Sequence, residues 1–159
     1  NLGLETGDRE IYLVSGLASG IDRAAHSGAV KRKGHVLAVL GNGIDFIYPA
    51  KSADLGREIL EIGGIILSEY PPGTPPLKYN FPARNRIISG VSSAVVVVEA
   101  PEKSGALITA DFALEQGKDV YIHRVSINSR QGAGCRRLLF EGAGVVDSLA
   151  DFCTFKEAV

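Results

Sequence analysis

Five short apolar runs recur along the chain. Each is followed by a glycine-containing turn and then by a stretch with helical spacing. The runs cover residues 11–15, 35–40, 64–68, 94–99 and 119–123. Val and Ile dominate them with little alternation, the pattern of strands buried on both faces. Helical spacing predicts helices over roughly 21–33, 52–62, 82–91 and 104–116, with Leu55, Ile59 and Ile62 as one apolar row, and a shorter helix over 134–141. Strand and helix in alternation specify an α/β fold: a Rossmann-like, doubly wound, mainly parallel sheet with helices on both faces. At 159 residues, with 45 % hydrophobic and 22 % charged, the chain suits one domain over 1–159. It begins at Asn1 and contains no Met, so a fragment of a longer protein is expected.

Several function classes are disfavoured early. The longest apolar run, 94–98, is far too short to span a bilayer, so no membrane association is expected. The first ten residues are polar and carry acids, unlike a secretion leader. The two cysteines, Cys135 and Cys153, lack metal-ligand spacing, which suits a reduced, cytoplasmic protein.

Net charge is only −1, yet the charges are segregated. No Asp or Glu occurs from Tyr70 to Val98, which holds Lys78, Arg84 and Arg86, nor from Val120 to Phe140, which holds Arg124, Arg130, Arg136 and Arg137. These windows carry +3 and +4, leaving −8 on the rest. A basic groove on an acidic body accounts for this, and so does chance clustering.

In a doubly wound fold, ligands bind at the carboxyl ends of the strands. Four turns are thereby selected. The first, Ser15-Gly16-Leu17-Ala18-Ser19-Gly20-Ile21-Asp22, leaves a strand for a helix. Gly16 and Gly20 permit close backbone approach and the helix start offers N–H groups to an anion, although a tight turn without ligand fits equally. It is neither a Walker A loop nor a dinucleotide fingerprint. The second turn holds Gly41-Asn42-Gly43 and ends at Tyr48-Pro49, with ordinary turn chemistry as the alternative.

The third turn is proline-rich and extended, then reads Lys78-Tyr79-Asn80-Phe81-Pro82-Ala83-Arg84-Asn85-Arg86, with Pro82 expected to start a helix. Cations for a backbone and flat faces for bases are what single-stranded nucleic acid requires. A core Phe81 beside a solvated arginine face is the alternative. The fourth turn places Ser104 and Gly105 at a helix start, where a hydroxyl and the helix dipole favour a phosphate, or simply cap the helix.

Catalytic constellations are poor. His26, His35 and His123 belong to no metal spacing, and no G-x-S-x-G elbow occurs. Cys135 reads as a buried small apolar residue. Asp22, Glu69 and Glu99 lie at strand ends without assignable partners. No enzyme activity, cofactor or metal is expected.

The four turns, taken in order and spacing over roughly residues 10–145, resemble the DprA/Smf family, the DNA-processing proteins of natural transformation. The matching stretches are Val14 to Asp22 with Ala25-His26; Ala38 to Gly43 with Ile47-Tyr48-Pro49; Ser68 to Gly73 with Asn80 to Ile88; and Ser104 to Ala110. The resemblance implies an extended Rossmann fold, single-stranded-DNA binding, a homodimer, and help in loading the recombinase RecA while displacing single-strand-binding protein. It implies no catalysis. A family lysine and phenylalanine three apart, contacting phosphate and base, map to Lys78 and Phe81. The candidate DNA and phosphate set is therefore Ser15, Gly16, Gly20, Gly41, Asn42, Lys78, Phe81, Arg84, Asn85, Arg86, Ser104 and Gly105. An earlier family strand with a Gly-Ser/Thr-Arg turn is missing, as are the flanking accessory domains, in keeping with a fragment. Residues 123–128 also lack the Pro-Gly often found there.

A rival reading is a nucleotide-binding hydrolase of phosphoribohydrolase type. Its Gly-Gly-x-Gly-Thr turn is matched only loosely by Ser104 to Thr109. A pure interaction scaffold is a third reading.

Overall fold

The computed structural model describes residues 2–7 and 10–156, the side chains of 153–156 excepted; Asn1 and the Cys153 side chain lie outside it. The chain packs as two compact units, residues 1–84 and 85–159. Each has a three-stranded sheet whose pairings are all parallel. Parallel neighbours need long crossovers, and helices supply them.

In the first unit, α1 (Leu2–Thr6) precedes β1 (Tyr12–Ser15), α2 (Ile21–Lys31), β2 (His35–Leu40), α3 (Ala53–Glu61) and β3 (Ile65–Ser68). Sheet order is β1-β2-β3, with Ser15 opposite Ala38 and Leu40 opposite Ser68. The central strand β2 carries Val36, Ala38, Val39 and Leu40 into the interior. With Leu17, Ala29, Leu55 and Ile59, most of them form one apolar cluster. Leu55 and Ile59 are four apart on α3, so one stripe faces the core while Asp54, Arg57 and Glu58 face water. Burying each aliphatic side chain contributes about 1.5–3 kcal/mol.

Expectation and structure part at β3. Its exposure alternates, with Ile65 at 49 % and Leu67 at 38 %. Ile65 and Leu67 are two apart and share one face of the strand, so its apolar run is not buried on both faces.

Helix α4 (Asn80–Gly90) starts two residues before Pro82. A proline fits there because N–H groups in a helix's first turn have no partner within the helix.

The second unit contains β4 (Ala94–Val97), α5 (Gly105–Glu115), β5 (Asp119–His123), α6 (Ala133–Phe140), β6 (Gly144–Val146) and α7 (Leu149–Lys156), in sheet order β4-β5-β6. Its core holds Val97, Leu107, Ala110, Ala113, Ile122, Cys135 and Leu138. Cys135 is fully buried, as its apolar reading anticipates. Residues β6 and α7 complete the fold beyond the expected elements. Among the described residues, no helix is long and apolar enough to cross a membrane, and no cluster of three metal-ligating side chains forms.

Candidate nucleic-acid interface

The turns after β1 and β2 share one device. Phe81 and Arg84 are three apart on α4, and each occupies a notch left by a glycine. A Cβ on Gly16 would come within 2.6 Å of the Arg84 guanidinium carbon, and one on Gly41 within 2.8 Å of Phe81 Cδ1. The two glycines therefore admit side chains of the protein itself. Their lack of a side chain is thereby accounted for by internal packing, without a phosphate.

Arg84 is 4 % exposed, and its Nη1 donates to the carbonyls of Gly16 (3.2 Å) and Val39. Burial lowers its pKa, while Asp22 and then Tyr70 raise it. An arginine held in this way joins two strand ends and is not a groove cation.

Asp22 completes the first turn from within. Its carboxylate accepts the N–H groups of Gly16 (3.0 Å) and Ala18 (3.4 Å), which are thereby withdrawn from an anion. Acids favour the first turn of a helix, where donors are free. One helical turn on, His26 is fully buried, with neither ring nitrogen hydrogen-bonded among the described residues. Its pKa is pushed down to about 4, chiefly by burial, with Asp22 opposing and Arg84 reinforcing. Ser15 ends β1, and Gly20, exposed at φ 94°, sets the start of α2 in a conformation that favours glycine.

The second turn is stitched to the proline-rich segment. Gly43 N–H donates to Thr74 O (2.9 Å), and Gly73 N–H donates to Asp45 Oδ1 (2.8 Å). Ser68 Oγ donates to Asn42 O (2.6 Å). Asn42 is fully buried, and its Nδ2 donates to the carbonyls of Gly43 and Phe46. Its unpaired side-chain atom, Oδ1, is an acceptor. Asn42 is thus a loop organiser, and the expectation that it reaches a phosphate is corrected. Beyond this scaffold Lys78 and Tyr79 are exposed, Tyr79 at 70 %. Phe81 is half-buried, with its ring centroid 5.7 Å from that of Tyr48.

In the second unit, Ser104 caps α5 without a side-chain capping bond, and its buried Oγ has no hydrogen-bond partner among the described residues. Gly105 is exposed, and Asn85 Nδ2 donates to its carbonyl (3.1 Å). Arg86 is exposed, and its carbonyl accepts from Gln116 Nε2 (3.0 Å). The acid-free window 120–140 is not acid-free in space. Arg124 Nε lies 2.7 Å from Asp147, Arg137 is 3.3 Å from Glu141 and 3.9 Å from Asp111, and Arg136 donates to the carbonyls of Ile127 and Ser129.

Sequence reasoning missed Tyr48 as an exposed partner of Phe81, and Ser68 and Asp45 as braces. Only the Tyr48-Pro49 pair gave a local signal.

Parallel sheets, helical crossovers and a candidate surface of strand-end turns define a Rossmann-like α/β protein. The family model of DNA recombination-mediator protein A matches residues 2–157, and the chain belongs to that family. It is 51 % identical over 134 residues to protein Smf of a Synechocystis species, covering 84 % of this chain and 33 % of that protein. The X-ray structure of DNA processing protein A from Streptococcus pneumoniae superposes with a TM-score of 0.86 at 43 % identity, covering 96 % of this chain and 54 % of that one. DNA processing protein A from Helicobacter pylori, whose structure is described for its single-stranded-DNA binding mode, gives 0.80 at 29 % identity, covering 99 % of this chain and 71 % of that one.

Proposed function

We propose that this chain carries a single-stranded-DNA-binding surface of a recombination mediator that helps load RecA onto incoming DNA in natural transformation. One observation carries the reading: the braced turn holds Lys78, Tyr79 and Phe81 together, with the cation and the tyrosine exposed. Charge for phosphates and π-faces for bases are the elements of sequence-tolerant single-strand binding. The Helicobacter pylori relative, described for that binding mode, supports it. In this reading Lys78 meets a phosphate and Phe81 a base. Gly20 offers a helix start in the first unit; in the second, Ser104 and Gly105 offer another, with Asn85 and Arg86 as further candidate contacts.

The chain works by binding, without catalysis. In support, two of the strand-end acids are engaged internally, Asp22 holding backbone N–H groups and Glu99 accepting from Ser129 Oγ (2.9 Å), and His26 on α2 is buried. The whole cytoplasmic protein would act as a homodimer, with RecA and single-strand-binding protein as its partners.

A titration with single- and double-stranded oligonucleotides at several salt concentrations tests this. Single strands should bind more tightly, with affinity falling steeply with salt, and Lys78→Ala should shrink the slope by about 0.7, the share of one phosphate contact. Equal affinity for duplex, or a flat salt response, rejects the reading.

A further inference from the structure

Phe81 does not stand alone. Its ring is backed by Gly41 and meets the Tyr48 ring at 5.7 Å with planes inclined by 36°. Of the pair, Phe81 is half-buried while Tyr48 keeps 45 % of its surface accessible. The rings lie too close to admit a base between them, so a base must stack on the outside, where Tyr48 offers the larger face.

The backbone on both sides of Tyr48 is fixed. Asn42 Nδ2 holds Phe46 O at 2.8 Å, and Ile47 packs against Gly56, where a Cβ would sit 3.0 Å from its Cγ1. Beyond it, Ser52 is fully buried and donates from Oγ to Leu17 O at 3.0 Å. A ring displayed on so constrained a segment loses little freedom when a base settles on it.

We propose that Tyr48 is a base-stacking residue, so that the platform is the Tyr48–Phe81 pair and serves adjacent bases of one strand. This rests on the single-strand-binding reading above and adds a residue to it. Stacking uses the ring and not the hydroxyl, and every base has a π-face, so no sequence preference follows.

The test uses the full-length protein and a labelled oligothymidine, read by fluorescence anisotropy over a salt series. Tyr48→Ala should weaken binding about 5- to 150-fold, the change matching roughly 1–3 kcal/mol of stacking, and leave the salt slope unchanged. Tyr48→Phe should restore affinity. On the unmodified protein, an oligonucleotide carrying 5-iodouracil should photocross-link to Tyr48, which decides the matter even where Tyr48→Ala fails to fold. Wild-type affinity in a folded Tyr48→Ala, or adducts confined to other residues, overturns the stacking role while single-strand binding stands. Absence of single-strand binding by the unmodified protein overturns both.

Discussion

Arg84 and His26 show how far a side chain's surroundings redefine its role. Arg84 looks like a groove cation in the sequence, yet its guanidinium serves two buried carbonyls. Arg84→Ala leaves them unpaired at roughly 1–3 kcal/mol each. Urea denaturation should record that loss, while the salt slope of DNA binding stays as it was. An unchanged stability with a reduced slope would return Arg84 to the groove. His26 makes stability depend on pH. Its pKa is about 4 in the fold against 6.5 in the unfolded chain, so between these values only the unfolded chain takes up the proton. Stability is therefore full above about pH 6.5 and falls as pH drops toward 4, by about 3 kcal/mol in all. His26→Leu should flatten that dependence. Denaturation at pH 7.5 and 4.5 measures it, and equal slopes in both proteins would sink the assignment.

At the scale of elements, α4 is a helix fitted by notches. Gly41→Ala drives a methyl against Phe81 Cδ1, and overpacking of this kind costs about 1–3 kcal/mol. The same change at Gly90, at the far end of the helix, meets only Gln116 at 3.6 Å, an ordinary contact, and should be neutral or stabilising by about 0.5–1 kcal/mol. Thermal melts of both variants check the contrast, and equal effects would refute it. The strands and long helices were legible because each carries several residues of period or β-branched run. The five-residue α1, the three-residue β6 and α7 were not, since too few residues repeat in them to declare a period. Nor could the sequence show that Gly16 and Gly41 make room for side chains 68 and 40 positions away. A glycine announces space but not its occupant.

For the whole molecule, the fold class was readable from rhythm alone, whereas the electrostatics was not. The acid-free window 120–140 meets Asp147, Asp111 and Glu141 in space. Paired exposed charges of this sort add at most about 1 kcal/mol and steer a polyanion little. Local charge counts therefore overstated the second basic window, and the braced third turn carries the binding reading instead. The proposed homodimer can be tested directly. Sedimentation equilibrium of the full-length protein at micromolar concentration should give twice the monomer mass, and a monomer throughout would contradict it.

The two notches also constrain how such a chain can diverge. Position 16 is tied to 84 and position 41 to 81, so a random walk through sequence space cannot alter any of the four singly without a clash or a void. Gly41→Ala should become tolerable in company with Phe81→Leu, and that double variant would keep its fold while surrendering the ring that faces Tyr48. Foldability and the ring presented to Tyr48 are thus inherited through the same pair of positions.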